Sequence, residues 1–578
     1  MNQRTLLIIA LFALTACKKD KKVDQVVIPT DPPVVVTPAT PNEPEIAKTA
    51  GFFLNDWTAR TFAAPDSKDA AKPIAAVTTT ITVDVSKVLS KVSKYVFGNN
   101  TNPYIGQLVT ETALINDIKS LAPNVLRFPG GNISSIYIWN KAPGHRPADA
   151  PEKLLNAEGV SQDAGYWYGK NNEGWTLSLD NYYAMLQQTN STGIITVNYA
   201  YARYSTAQNP VASAAHLAAD WVRYDNGRTK YWEIGNESNG TWQAGHRIDV
   251  SQNKDGQPQI INGALYGKHF KVFADSMKKA ALEVGATIFI GAQLLQEEPA
   301  SWSPEPDKTW NQGVFAEAGN TPDYQIIHSY YTPYNTNSNA ADILNTGVKV
   351  TKDMMDYVKQ STTTGGVTQK PVALTEWNIF AVGSKQMISN IAGMHASIVL
   401  GELIKNNYGM ASRWDIANGY ENGNDHGMFS LGEAESGDAK WNPRPVFYHM
   451  YYFQKYFGDR MVTSTVQGSA DILSYASSFS SGEAGAVVIN KGTSAQVVEV
   501  KITNFLPGTK YYYYTLTGGD DNGEFSRKVL VNGVGPAGNA GGPANYAALA
   551  ANSAVISGGI KLSVPARAIV YLVVERKK

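Results

Sequence analysis

The chain has 578 residues, and its 50 Lys and Arg balance 50 Asp and Glu, so the formal net charge is zero. A chain of this length can bury a large core and hold more than one domain. The balanced charge argues against a nucleic-acid-binding protein, which needs a concentrated basic surface. The aromatic share of 11% suits both sugar-stacking surfaces and the cores of large β-rich proteins, so it does not decide between them.

Residues 1–17 have the pattern of a lipoprotein signal peptide. Arg4 precedes an apolar run, Leu6–Leu14, that is too short to span a membrane. Leu14–Cys17 resembles a bacterial lipobox, in which the cysteine becomes the acylated first residue; a chance cysteine is the alternative. Since Cys17 is the only cysteine, we expect no disulfide and no thiol nucleophile in the mature chain.

The residues after Cys17 add to the prediction of a lipoprotein. The charged start Lys18–Asp20 resembles outer-membrane lipoproteins of Bacteroidetes-type bacteria. We therefore expect a bacterial outer-membrane lipoprotein, facing the periplasm or the cell surface, that touches the membrane through its lipid anchor only. Residues 18–48, rich in Pro, Val and Thr, predict an extended tether. Residues 49–90 are predicted to pack on a C-terminal β-domain and include a strand at Thr78–Val85.

Short apolar runs alternate with helical segments over residues 91–457, which predicts an α/β fold, a (β/α)8 TIM barrel. The predicted strands are Tyr95–Gly98, Asn124–Phe128, Gly193–Tyr199, Lys230–Ile234, Thr287–Gly291, Tyr324–His328, Val372–Thr375 and Ala411–Asp415. The predicted helices include Glu111–Ser120, Leu179–Gln188, Ala212–Val222, Tyr266–Val284 and Lys385–Lys405.

Residues 458–578 predict a C-terminal antiparallel β-sandwich. Short β-like runs, separated by Gly, Pro, Asn and Asp turns, lie at Ala484–Asn490, Gln496–Ile502, Tyr511–Leu516 and Ala568–Val574. The strand at Thr78–Val85 precedes the barrel and can join this domain.

A glutamate follows the end of two predicted barrel strands. Glu237 closes the segment Tyr231–Glu237 (Tyr-Trp-Glu-Ile-Gly-Asn-Glu), and Glu376 follows the apolar run of the seventh strand. Active-site groups of TIM barrels come from the C-terminal strand ends, so both carboxylates should face the barrel mouth. Glycoside hydrolysis needs such a pair, one acid and one nucleophile or base. A lone glutamate after a strand is more often a solvated loop residue; two of them reverse that preference.

Other strand ends supply candidate sugar contacts. Asn236 can hydrogen-bond a sugar 2-hydroxyl. Arg127 and Asn132 lie on either side of a Pro-Gly-Gly turn and are candidate polar contacts; a purely structural turn is the alternative. Tyr330 can hold the nucleophile ionised, and His328 can orient the site or be a buried structural histidine. The candidate stacking residues are Trp242 and Trp414, the latter equally suited to the barrel core.

The chain is predicted to need no metal and no cofactor. It has no His-Glu-x-x-His motif, and its histidines form no ligand-spaced cluster. The expected partner is an oligo- or polysaccharide, and nothing in the sequence sets the oligomeric state.

Four motifs resemble those of clan A glycoside hydrolases, and most closely the family 51 α-L-arabinofuranosidases. They are Arg127–Asn132 (Arg-Phe-Pro-Gly-Gly-Asn), Glu233–Glu237 with the tail Trp242–His246 (Trp-Gln-Ala-Gly-His), His328–Tyr331 and Thr375–Asn378. The resemblance implies that Glu237 is the acid/base, that Glu376 is the nucleophile, and that the sugar pocket includes Arg127, Asn132, Asn236 and Tyr330.

The chain departs from that family where the sugar is recognised. The segment Phe97–Thr101 lacks the pocket glutamate that the family usually carries after the first strand. The loop Asn418–His426 has no evident counterpart of the family's late pocket glutamine, and the segment Lys141–Glu173 after the second strand is unusually long. The expected function is a retaining, α-L-arabinofuranosidase-like glycoside hydrolase acting by double displacement on plant or similar polysaccharide. An endo-acting β-glycanase on glucan, xylan or an algal polymer is the alternative with the same mechanism. A non-catalytic surface glycan-binding lipoprotein is the alternative of another class.

Overall fold

The computed structural model describes residues 39–380, 386–419, 426–432, 438–519 and 521–578. The signal peptide with Cys17, most of the predicted tether, and the loop residues Glu421–Asp425 therefore lie outside the described residues. Within the described part of the chain, no helix combines the length and the hydropathy that a membrane span requires.

Eight parallel strands close into a barrel in which each strand pairs with the next along the chain, and the last pairs with the first. The strands are β1 (Gly98–Asn100), β2 (Val125–Phe128), β3 (Thr192–Val197), β4 (Tyr231–Ile234), β5 (Phe289–Gln293), β6 (Tyr324–Tyr330), β7 (Val372–Asn378) and β8 (Met410–Arg413). The predicted (β/α)8 barrel is thus confirmed.

One long helix follows each strand and covers the barrel from outside. These helices are α1 (Thr112–Leu121), α2 (Leu179–Thr189), α3 (Pro210–Asp225), α4 (Gly263–Glu283), α5 (Trp310–Ala318), α6 (Ala340–Thr364), α7 (Asn390–Lys405) and α8 (Pro445–Tyr456). Side chains cap several N-termini, as where Asn262 accepts from the Leu265 amide. The helix predicted from Lys385 begins five residues later, because the Ser389 hydroxyl caps it.

The first strand was predicted in the wrong place. Tyr95 lies in a 3-10 turn, Lys94–Val96, and the strand begins only at Gly98. The apolar run was misleading because Tyr95 packs beneath the barrel, while the true strand carries the polar, fully buried Asn99 and Asn100.

A second sheet of eleven strands forms the C-terminal domain. Its main path runs through Ser67–Asp69, Ala551–Val555, Pro507–Thr517, Ala568–Arg576, Ala484–Asn490, Ile472–Ser478, Arg460–Gln467, Thr79–Lys91, Gln496–Thr503 and Ile560–Val564. The sheet folds over an apolar core of its own, as the predicted β-sandwich requires. It is antiparallel except at two pairs, Ser67–Asp69 with Ala551–Val555 and Thr79–Lys91 with Gln496–Thr503, which involve strands that precede the barrel.

The residues before the barrel therefore contact both domains. Thr79–Lys91 joins the sandwich, whereas the turn Gly51–Leu54 lies under the barrel. There the Phe53 ring packs 5.2 Å from the Tyr231 ring and 5.6 Å from the Tyr324 ring, measured between centroids. Among the described residues, these aromatic rings cover the N-terminal face of the barrel.

Candidate active site

Arg127 of β2 lies at the centre of the barrel mouth and is fully buried. Its Nε donates to Glu233 at 2.6 Å, and its Nη2 donates to the Asn236 side-chain oxygen at 2.8 Å. Its Nη1 donates both to Asn100 at 3.0 Å and to Glu376 at 3.1 Å. One guanidinium therefore ties β1, β2, β4 and β7 together, in the bidentate and multidentate manner for which arginine is suited.

A bulge in β7 turns Glu376 toward this network. The pairing of β7 with β6 shifts between Leu374 and Glu376, and its pairing with β8 shifts between Leu374 and Trp377. In a regular strand Glu376 would share the face of Leu374, which packs into the outer core. The extra residue lets both Thr375 and Glu376 face the interior. Glu376 there accepts from the Tyr330 hydroxyl at 2.7 Å as well as from Arg127.

Glu237 follows β4 in a strained backbone conformation, with φ at +42°. Such values are uncommon for residues other than glycine, and strain of this kind concentrates at functional sites. The carboxylate accepts from the Trp242 indole at 3.0 Å and lies 3.1 Å from His328 Nδ1. The loop beyond it is fixed by His246 Nδ1, which lies 3.0 Å from the Asn239 carbonyl oxygen, and by Gln243, which accepts from Ser135.

The two carboxylates are close neighbours. An oxygen of Glu237, an oxygen of Glu376 and a nitrogen of His328 all lie within 4.8 Å of one another. This spacing also suits a metal site, and the three residues are the one such group among the described parts of the chain. Each ligand atom already has a protein partner, however, and the Arg127 charge beside Glu376 opposes a cation. The donor set fits acid–base chemistry better than metal binding.

The pair has opposing pKa shifts. Burial is the largest influence on Glu376 and, with the added charge of Glu237, raises its pKa against the lowering effects of His328, Arg127 and Tyr330. Burial is also the largest influence on Glu237 and raises its pKa, but His328, the Trp242 hydrogen bond and the charge of Arg127 together leave the pKa lowered. The carboxylates of Glu233, Glu237 and Glu376 surround the single positive charge of Arg127. Their excess negative charge favours a state in which at least one of them is protonated.

A cleft of about 960 Å³ opens above the pair. Asn132, Trp242 and Trp414 all line it, so the structure places every predicted sugar-contact residue in the mouth or directly beneath it. Asn132 is exposed and Trp242 is 63% exposed, whereas Trp414 is half-buried against the Gly131 turn. Beneath them, the Asn236 side-chain nitrogen is buried and has no hydrogen-bond partner among the described residues, which leaves a donor for a ligand.

Sequence reasoning missed three members of the network. Glu233 was quoted in a motif without a role, yet it holds Arg127 and also accepts from Thr196 at 2.8 Å. Its signal was a lone carboxylate inside an apolar strand, which needs a buried partner. Asn100 donates to the carbonyls of Thr375 and Ser412, so it joins three strands. Thr375 lies 3.1 Å from His328 Nε2 through its hydroxyl and fixes the ring.

Sequence comparison finds relatives of this chain among arabinofuranosidases. A family model described as the Alpha-L-arabinofuranosidase 1 domain matches residues 117–347. An intracellular exo-α-(1→5)-L-arabinofuranosidase of Bifidobacterium longum is 25% identical over 251 residues, which is 42% of this chain and 38% of that protein. This chain thus spans about two fifths of the length of that relative. The chain resembles the family 51 α-L-arabinofuranosidases of the clan A glycoside hydrolases.

Solved structures extend the likeness of fold over more of the chain. The α-L-arabinofuranosidase of Thermotoga maritima, solved with arabinose, is 18% identical, with a TM-score of 0.57 over 86% of this chain and all of that one. A family 44 xyloglucanase of Paenibacillus polymyxa is 12% identical, with a TM-score of 0.54 over 86% of this chain and all of that one. The family 51 resemblance therefore extends to the fold, which is shared with enzymes of other substrates.

Removing the Glu233 charge should destabilise the protein. Glu233→Gln keeps the side-chain shape but breaks a buried ion pair, and we expect the free energy of unfolding to fall by about 3 kcal/mol. Urea denaturation measures this. Glu283→Gln is the matched control, because it removes an ion pair with Arg223 of the same 2.6 Å length on the exposed surface. Equal effects of the two substitutions would contradict a central role for the buried pair.

Proposed function

We propose that the chain is a retaining glycoside hydrolase of the α-L-arabinofuranosidase type. The observation that carries the proposal is that an oxygen of Glu237 and an oxygen of Glu376 lie within 4.8 Å of each other at the barrel mouth. Retaining enzymes hold their carboxyl groups about 5–5.5 Å apart, whereas inverting enzymes leave room for a water between them. The arabinofuranoside preference is supported by the family match and by the curated relative's printed activity.

In the proposed mechanism Glu376 attacks the anomeric carbon while Glu237 protonates the departing oxygen. Glu237 then removes a proton from the water that hydrolyses the glycosyl-enzyme. Arg127 and Tyr330 hold the Glu376 carboxylate from both oxygens, which aims it and stabilises its charge. Asn236 has an unused donor for a sugar hydroxyl next to the reacting carbon.

The 3.1 Å contact between His328 Nδ1 and Glu237 bears on where the proton of Glu237 can lie. A protonated His328 stabilises an ionised Glu237, which is the reverse of what the first step needs. A neutral His328 that donates from Nε2 to the Thr375 hydroxyl presents Nδ1 as an acceptor, and a protonated Glu237 can donate to it across the same 3.1 Å. We assign this second state to the reactive enzyme, because it leaves the negative charge on Glu376 beside Arg127.

An endo-acting glycanase is the second candidate. A cavity of about 430 Å³, roofed by the hairpin Lys153–Leu155/Ser161–Asp163, adjoins the cleft and shares Asn132 and Trp242 with it. The two cavities together can hold a chain that runs past the catalytic pair on both sides. A purely glycan-binding role is disfavoured, because a non-catalytic protein has no need of two adjacent carboxylates, one of which is buried and held by arginine and tyrosine.

We also propose that the protein is an outer-membrane lipoprotein attached through Cys17. Support comes from the sequence alone, in the apolar run Leu6–Leu14 and the lipobox-like Leu14–Cys17. Cys17→Ser should move the protein from the membrane fraction to the soluble fraction and abolish labelling by a radioactive fatty acid. Labelling that persists in this variant would contradict the assignment, and Cys17→Ala should behave like Cys17→Ser.

Substitution of the two glutamates should separate their roles. Glu376→Ala should abolish turnover of every glycoside, because no nucleophile remains. Glu237→Ala should slow substrates with poor leaving groups by about 10²–10⁴-fold but slow glycosylation by 4-nitrophenyl glycosides much less, since that leaving group needs little protonation. The kcat/KM values on both substrate types measure this, because kcat/KM reports the glycosylation step alone. Glu305→Ala, which removes an exposed carboxylate outside the cleft, should change neither rate.

Tyr330→Phe should shift the acidic limb of the pH profile. The Tyr330 hydrogen bond lowers the pKa of Glu376, so its loss raises that pKa, and the ionised nucleophile disappears at a higher pH as acid is added. The acidic limb of kcat/KM should move to higher pH. Tyr331→Phe is the control, because that hydroxyl bonds Thr351 in the outer core. An unmoved limb in Tyr330→Phe would contradict the proposed contact.

Product analysis separates the two candidate specificities. An α-L-arabinofuranosidase should release single arabinose units from arabinan or arabinoxylan from the first minutes. An endo-glycanase should release a ladder of oligosaccharides from an unbranched glucan or xylan, and the viscosity of the polymer should fall before much reducing sugar appears. The absence of any product from every neutral polymer would contradict both candidates.

A further inference from the structure

The loop after β5, residues 294–309, forms one wall of the cleft. It carries Trp302, whose side chain is 85% exposed although it borders the cavity. Tyr334, 68% exposed, also lines the cavity and lies beside Phe380 at 5.3 Å between ring centroids. Large aromatic rings left open to water at the rim of a concave site mark ligand surfaces. Their faces suit the apolar faces of sugar rings.

The same wall is acidic. Glu297 and Glu298 are exposed lining residues, and Asp307 lies deeper, bound by the Asn239 side chain at 2.9 Å. Among the described residues that line the cleft there is no lysine and no arginine. The described lining of the adjoining 430 Å³ cavity has none either, and its charged members are Glu158 and Asp163.

The one basic residue of the loop is directed away from the cavity. Lys308 does not line the cleft and pairs with Glu305 at 3.2 Å on the outer surface. A ligand in the cleft therefore meets aromatic faces, hydroxyl-binding amides such as Gln296, and negative charge. A carboxylate- or sulfate-bearing sugar placed there would be repelled, since like charges at short range in a partly enclosed site are unfavourable.

We propose that loop 294–309 binds neutral sugar units of the substrate on Trp302 and rejects anionic ones through Glu297 and Glu298. The inference rests on the proposed function, which it deepens by naming the substrate class as neutral glycans. It excludes uronate-rich and sulfated polymers as preferred substrates. Glu297 and Glu298 act here as specificity-determining residues and take no part in bond cleavage.

Binding tests the proposal independently of catalysis. Calorimetry would use the full chain carrying Glu376→Gln, which cannot turn the ligand over. The probes are a xylo-oligosaccharide with an arabinofuranose side group and the same oligosaccharide with a glucuronic acid side group. At low salt we expect the neutral probe to bind about three- to tenfold more tightly, and high salt should reduce the difference.

The proposed rejection of anionic sugars by Glu297 and Glu298 has a matched control. Glu297→Gln/Glu298→Gln should bring the two dissociation constants together. Glu305→Lys changes the net charge equally in the same loop but outside the cleft, and it should retain the preference. Equal binding of both probes before any loop substitution would overturn the proposal, and so would a preference that survives the double substitution.

The aromatic wall has its own control. Trp302→Ala should weaken binding of the neutral probe by about fivefold or more, within the range of stacking energies. Trp175→Ala removes another exposed tryptophan, 56% accessible, that lines neither cavity, and it should have no effect. Unchanged binding in Trp302→Ala, or no measurable binding of either probe, would overturn the proposal. Failure of the proposed function would appear separately, as absent turnover by the unsubstituted chain.

Discussion

The buried guanidinium of Arg127 is the interaction on which the site depends. It lies in the barrel with no solvent access and donates to Glu233, Glu376, Asn236 and Asn100. An arginine cannot be buried without such partners, and each partner in turn is held by it. Because these contacts exist before any ligand binds, the carboxylate and amide groups are already oriented, and no reorganisation is needed when charge develops.

The side chains of this network come from different barrel strands, and local irregularities of the backbone orient two of them toward the mouth. The bulge in β7 turns Glu376 inward, and the left-handed backbone at Glu237 brings the second carboxylate back over the mouth. At the opposite face, Phe53 and its aromatic neighbours close the barrel. On one side, α8 packs its tyrosines against the sandwich, with Tyr451 and Tyr546 rings 4.9 Å apart. The rigid surroundings are what allow a strained and charged site to persist.

Much of the fold could be predicted from the sequence, because seven barrel strands coincide with apolar runs and the helices show clear periodicity. The first strand could not, since its residues are Gly and Asn and its burial serves the Arg127 network. Helix α6 was also not predicted, although its buried residues, including Ile343, Gly347 and Met354, recur at helical spacing.

The candidate site was predictable where residues follow a strand end, as Glu237 does. The site was less predictable where tertiary contacts decide the direction in which a side chain points. Periodicity does not reveal the bulge that rotates Glu376, because the shift depends on pairing with β6 and β8. Nor does it show that Glu233 points at Arg127 or that Trp302 stands open over the cleft. The direction of Glu233 and the exposure of Trp302 depend on tertiary contacts between strands and loops that are distant in the sequence.

The central claim is that Glu237 and Glu376 are close enough for one of them to attack the sugar directly. The most direct test is to follow hydrolysis of an aryl α-L-arabinofuranoside, or of whichever neutral glycoside is turned over, by proton NMR from the first seconds. Double displacement at Glu376 should release the first sugar with the same anomeric configuration as the substrate. Initial release of the opposite anomer would contradict it, since inversion requires a water between the two carboxylates.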